Sequence, residues 1–124
     1  MRLLLDTHVV LWWRQANARL GAEAVGAISQ ADVVYVSAAS AWEVAIKRAL
    51  GKIRLPGRFT DGVAASGFLP LPIGLAHAEA AGELPPHHAD PFDRMLVAQA
   101  RLERLTVVTH DRSFAPYGGA VLWV

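Results

Sequence analysis

A chain of 124 residues with 53% apolar side chains is read as one domain with enough apolar surface for a substantial core. No apolar run reaches the roughly 18–20 residues needed to cross a bilayer, and Asp6 interrupts the first run too early for a secretory signal. The absence of cysteine excludes a disulfide framework and thiolate chemistry, a net charge of +1 identifies no partner by itself, and a cytoplasmic protein is expected.

In chain order, LLLD (3–6) reads as a buried strand and THVVLWWRQ as a helix or helical turn. LGAEAVGAISQA (20–31) reads as a small-residue helix and VVYV (33–36) as a short strand. SAASAWEVAIKRALGK (37–52) predicts a helix opened by Ser37 or Ser40 and closed near Gly51. GRFTDGVAASG (57–67) predicts another helix, and FLPLP (68–72) a weak or edge strand because of its prolines. GLAHAEAAGEL (74–84) is helical, PPHHAD (85–90) a loop, and PFDRMLVAQARLERL (91–105) a strong helix. TVVTHD (106–111) gives a strand and turn, and AVLWV (120–124) a final strand. Unalternating apolar strands separated by helices predict an α/β domain, its mainly parallel sheet of four to five strands covered by helices on both faces.

In open parallel sheets ligands gather beyond the carboxyl ends of the strands, and Asp6 and Asp111 each follow an apolar strand at that end. Turn or N-cap roles account for either one alone. Glu43 shares a helical stripe with Ile46 and Leu50, and Asp93 with Leu96, Val97 and Ala100. A carboxylate on an inward stripe is costly unless it is paired or binds a metal. Ser40 and Glu43 also fit a capping box, Lys47 lies four residues on for an ion pair, and Asp90-Pro91 reads as an N-cap followed by Pro at N1. Together, two acids at strand ends and two near helix starts form an oxygen donor set suited to Mg²⁺ or Mn²⁺. Thr7 and Thr109 add hydroxyls as caps or water ligands.

LLLDTHVVLWW, SAASAWEVAIKRALGKIRLP and LPPHHADPFDRMLVAQARLERLTVVTHDRSFAPYG carry a resemblance over essentially the whole chain, 1–124. The sequence resembles the PIN-domain ribonucleases, and among them the VapC toxins of bacterial type II toxin–antitoxin pairs. The resemblance implies a PIN fold and metal-dependent endoribonuclease activity, with Asp6, Glu43, Asp93 and Asp111 as catalytic acids and ligands of Mg²⁺ or Mn²⁺. It further implies a cognate VapB-type antitoxin occupying the acidic groove, an RNA substrate of the tRNA or rRNA class, and a homodimer. His8 stands where many members have Asn, and Asp90 matches the branch with the HHxDPFDR segment.

Other residues admit two roles. His87 and His88 beside Asp90 suggest zinc, but adjacent histidines point apart and no second ligand pair appears, so a loop over the site is the better reading. Trp12, Trp13 and Trp42 are read as core or subunit packing before base stacking. Lys47, Arg48, Lys52, Arg54 and Arg58 either grip phosphate or form a solvated face, and Arg94 either meets substrate phosphate or pairs with an acid. Ten of the 12 basic residues are Arg; without the four site acids, seven acids oppose them, compatible with a polyanionic partner. Asp6-Thr7-His8 lacks the nucleophile motif of Asp-dependent phosphatases, and the chain has no Lys after Lys52 to serve a phosphoacceptor domain. A metal-dependent DNA nuclease and an RNA-binding module without turnover remain as rivals.

Overall fold

The computed structural model describes residues 1–124. Strands β1 (Arg2–Leu5), β2 (Val33–Ser37), β3 (Leu69–Leu71), β4 (Thr106–Thr109) and β5 (Val121–Trp123) alternate with helices. These are α1 (Thr7–Arg14), α2 (Ala22–Gln30), α3 (Ala38–Ala49), α4 (Phe59–Ala65), α5 (Leu75–Glu83) and α6 (Pro91–Glu103). The sheet has the order β3-β2-β1-β4-β5 and every pairing is parallel. The expected four to five strands are therefore five.

The unalternating apolar character of β1 follows from its central position. Leu3 and Leu5 join one core cluster with Val9, Val34, Val36, Val44 and Val108, whereas Leu4 points the other way, to Leu96, Val107 and Phe114. All three leucines are fully buried, each such side chain contributing about 1.5–3 kcal/mol. β3 lies at the sheet edge, where Pro70 removes no needed ladder bond.

Helix ends follow the local chemistry. Ser37 caps α3 by accepting from Ala39 N–H at 3.0 Å, and Gly51, just past its end, has φ +73°. Asp90 caps α6, its Oδ1 accepting from the Phe92 N–H at 2.8 Å and the Asp93 N–H at 3.2 Å, with Pro91 in the first turn. The Ser40–Glu43 capping box does not form, because Ser37 takes the cap position and leaves Ser40 inside the helix. A 3₁₀ helix over Arg112–Tyr117, containing Pro116, connects β4 to β5 and has no counterpart in the sequence reading. No helix is long and apolar enough to cross a membrane.

Candidate active site

Because all strands are parallel, β1, β2 and β4 deliver their carboxyl ends to one edge. The Asp6 N–H continues the ladder to Val108 O at 2.9 Å, so the residue is fixed as the next step of the sheet. Its carboxylate does not cap α1; Oδ2 instead accepts from the Thr109 hydroxyl at 2.8 Å. The same Thr109 oxygen accepts from the Asp111 N–H at 3.0 Å. One hydroxyl thus links the two strand-end acids. Asp111 itself turns the chain, its Oδ1 accepting from the Ser113 N–H at 2.9 Å.

Two helices carry the other acids. Ser37 Oγ donates to Gln99 Oε1 at 2.6 Å, and Gln99 Nε2 donates to Pro72 O at 3.2 Å. This fully buried amide locks α6 against the start of α3. The Thr7 hydroxyl donates to Ser40 Oγ at 2.8 Å, drawing α3 onto α1. Thr7 and Thr109 therefore position neighbouring groups and act as no helix cap.

Glu43 is buried, but not for the reason its spacing suggests. Ile46 and Leu50, its presumed companions, are exposed, and the inward stripe is Ala39, Ser40, Glu43 and Val44. Glu43 Oε2 accepts from Lys47 Nζ at 2.7 Å, as the i,i+4 spacing predicts. Its Oε1 is buried without any hydrogen-bond partner. Asp93 does lie on the inward stripe of α6 with Leu96, Val97 and Ala100.

The structure brings Asp6, Glu43 and Asp93 together as three buried acids, at 3%, 5% and 9% exposure, with the more exposed Asp111 at the rim. Burial raises the Asp6 carboxyl above its usual range, and the charge of Glu43 adds to this, outweighing the Thr109 hydroxyl, His8 and the Thr7 backbone. Burial and then the charge of Asp6 push Asp93 up to about 7 against the pull of His88. For Asp111 burial acts upward, but hydrogen bonds from Ser113 and the nearby His88 and His8 hold it below the usual range.

His88 is the residue that the sequence reading left out of the site. Its Nε2 lies 2.7 Å from Asp93 Oδ2 and 3.9 Å from Asp111 Oδ2, and His88, Asp90 and Asp93 can bring ligand atoms within 4.8 Å of one another. The available signal was the HHADPFD run, which places an imidazole five residues before Asp93, in the loop that leads into α6. Arg94 takes neither role expected of it. Its guanidinium donates to the carbonyls of Ala81 and Leu84 at 2.9 Å and of Pro85 at 3.0 Å, holding the loop that carries His88. Tyr117 Oη accepts from the His88 N–H at 3.0 Å and steadies the same loop.

The tryptophans divide. Trp13 packs on Phe68 and donates to Ser66 Oγ, Trp12 is partly buried, and Trp42 is 64% exposed with its ring edge-on to Phe92. The basic run divides as well, since Lys47 pairs with Glu43 and Arg48 donates to Gly57 O at 2.9 Å to close its own loop.

The PIN domain family model matches residues 3–119. "Ribonuclease VapC22" of Mycobacterium tuberculosis is 32% identical over 118 residues, covering 89% of this chain and 87% of that protein. Among solved structures, VapBC2 from Rickettsia felis bound to a promoter DNA fragment aligns with a TM-score of 0.72 at 12% identity, covering 98% of both chains. A toxin–antitoxin complex from Klebsiella pneumoniae aligns with a TM-score of 0.69 at 22% identity, covering 97% of this chain and 95% of that one. With the family model spanning nearly the whole sequence and a VapC ribonuclease above 30% identity, the chain belongs to the PIN-domain family and stands among its VapC members.

Proposed function

We propose that this chain, as a single PIN domain over 1–124, is a metal-dependent endoribonuclease serving as the toxin of a toxin–antitoxin pair. The observation that carries this reading is the orphaned Oε1 of Glu43, buried within reach of Asp6, which in turn acts on Asp93. A buried carboxylate oxygen without a donor is suited to a cation. Lys47 satisfies only the other oxygen. The donors are hard oxygens, which fit Mg²⁺ or Mn²⁺, and Asp6, Glu43, Asp93 and Asp111 are the residues that would hold the ion.

When bound, a divalent cation acidifies its water and offsets charge on the phosphate under attack. The chain's own residues prepare for that task. Thr109 fixes the rotamer of Asp6, Lys47 holds Oε2 of Glu43 and leaves Oε1 free, and His88 orients Asp93. These partners stand behind the donors and determine how they are presented. No Ser/His/Asp arrangement lies at the strand ends to support a covalent route.

The partner reading draws on the solved relatives, which include VapBC2, FitAB bound to a DNA fragment and a further toxin–antitoxin complex. A cognate VapB-type antitoxin is proposed as the inhibitor, RNA of the tRNA or rRNA class as the substrate, and the cytoplasm as the location. A homodimer is supported by the exposed apolar stripe of Trp42, Ile46 and Leu50 on α3. Mapping 5′ RNA ends after induced expression, wild type beside Asp6→Asn, tests activity, substrate class and site together. Identical ends from both would overturn the assignment.

A further inference from the structure

The nuclease reading leaves open how the RNA strand is seated. A cavity of about 440 Å³ adjoins the strand ends, with Asp6 and Asp111 in its wall. That volume is within the range of small-ligand sites, roughly 300–1,000 Å³. His8, Trp12, Arg19, His110 and Arg112 complete the lining.

Five of the ten arginines are engaged internally. Arg2, Arg14, Arg48, Arg94 and Arg101 all donate to backbone carbonyls. Of the five that are not, Arg19 and Arg112 are the two that line the cavity. Arg19 is exposed, and its one side-chain contact is made through its backbone N–H, to Asn17 Oδ1. The Arg112 guanidinium lies 4.4 Å over the Trp123 ring, which fixes its position while leaving its N–H groups available.

Beside these two cations is a wall of rings. Trp12 lies 5.7 Å from His110, edge-on, and 6.3 Å from His8 at a tilt. No ring of the three lies flat on another, so the wall keeps π-surface for a base. Unpaired acids repel phosphate, whereas free guanidinium groups bind it. A single-stranded nucleotide satisfies both demands, while a base held in a duplex could not turn into the cavity.

We propose that this cavity seats one unpaired nucleotide next to the scissile phosphate, its base on the wall of Trp12, His8 and His110 and its phosphate on Arg19 and Arg112. The proposal rests on the ribonuclease reading. It also places the substrate on the α1 and β4–β5 side, away from the basic run of residues 47–58, none of which lines the cavity.

The test is fluorescence anisotropy with a labelled single-stranded RNA octamer and a blunt RNA duplex, with Ca²⁺ in place of Mg²⁺ and strand integrity checked on a gel. Arg19→Ala and Arg112→Ala should each weaken octamer binding about fivefold or more and reduce the salt slope by roughly 0.7, the share of one phosphate on a single strand. Arg54→Ala should change neither, and the duplex should bind more weakly. Octamer binding should quench tryptophan fluorescence in wild type and not in Trp12→Phe. Because both arginines are exposed, their variants keep the test valid if Trp12→Phe fails to fold. Wild type that cuts RNA while both arginine variants keep its affinity and salt slope overturns the subsite alone. Wild type that neither binds nor cuts RNA overturns the ribonuclease reading and the subsite with it.

Discussion

Thr109 Oγ donates to Asp6 Oδ2 at 2.8 Å across 103 positions of sequence, inside a site where both residues are buried. The contact exists because β1 and β4 are parallel neighbours, which brings the residue after one strand beside the last residue of the other. Thr109→Val should remove the donor and leave Asp6 less well satisfied. Stability should fall by about 1–3 kcal/mol in urea titrations, and RNA cleavage should fall with it, whereas Thr109→Ser should retain most of both. A Val variant with unchanged midpoint and activity would remove Thr109 from the site.

Asp6→Asn and Asp93→Asn should abolish metal-dependent RNA cleavage in a protein that still folds. Each also removes one of several crowded buried charges, so the metal-free melting temperature should hold or rise. Circular dichroism melts beside a gel cleavage assay check both points. A folded Asp6→Asn protein cutting at the wild-type rate would refute the proposed role.

The pH dependence of the metal-free protein follows from the same carboxyls. Asp93 is pushed up to about 7 and Asp6 is raised as well, so the native state holds protons that the unfolded chain releases. The Asp93 contribution is full below the ordinary value of 3.8 and is lost as pH rises through about 7, and that of Asp6 is likewise full below 3.8 and lost as pH rises through its raised value. Asp111 is lowered and acts oppositely, contributing above the ordinary carboxylate range and losing that contribution in acid. In EDTA the melting temperature should decline from pH 5 to pH 8, and Asp93→Asn should flatten the decline. Mg²⁺ or Mn²⁺ should raise it more at pH 8 than at pH 5. A wild-type curve that rises over this interval would contradict the burial argument.

Lys47 lies 2.7 Å from Glu43, with 35% of its side chain exposed against 6% for the acid. Lys47→Met should leave Glu43 buried without its only donor. The expected loss is roughly 1–3 kcal/mol in the metal-free state, below the full cost of a buried pair because Lys47 reaches solvent. Added metal should recover much of it, as differential scanning calorimetry with and without Mn²⁺ would show.

Arg94→Lys should not rescue Arg94→Ala. The fork donates to three carbonyls, of Ala81 in the last turn of α5 and of Leu84 and Pro85 in the loop after it, at 2.9–3.0 Å, a geometry an ammonium does not reproduce. Both variants should lose about 2–3 kcal/mol of stability, and limited proteolysis should cut first within 84–90. Equal protease resistance of wild type and both variants would show that the loop is held by other contacts.

The amino-acid order by itself determined the order of strands and α-helices, the parallel sheet and the placing of four acids at strand ends and on helices, because each is written in local terms. Apolar runs of strand length, caps such as Ser37 and Asp90 and the closing Gly51 are short-range signals. It gave Glu43 its place for the wrong reason. The spacing aligned it with Ile46 and Leu50, which are exposed, while the contact that buries its helix face runs from Ser40 to Thr7. The same limit hid the roles of Gln99, His88 and Arg94. Each depends on a partner from another element: Ser37 for Gln99, Asp93 for His88, the 81–88 backbone for Arg94. Local periodicity reports which face of an element is apolar. Only tertiary packing decides which polar groups meet across faces, since that depends on strand order and helix register, and so the positions of the acids and hydroxyls were legible while the contacts that the hydroxyls, amide and imidazole make were not.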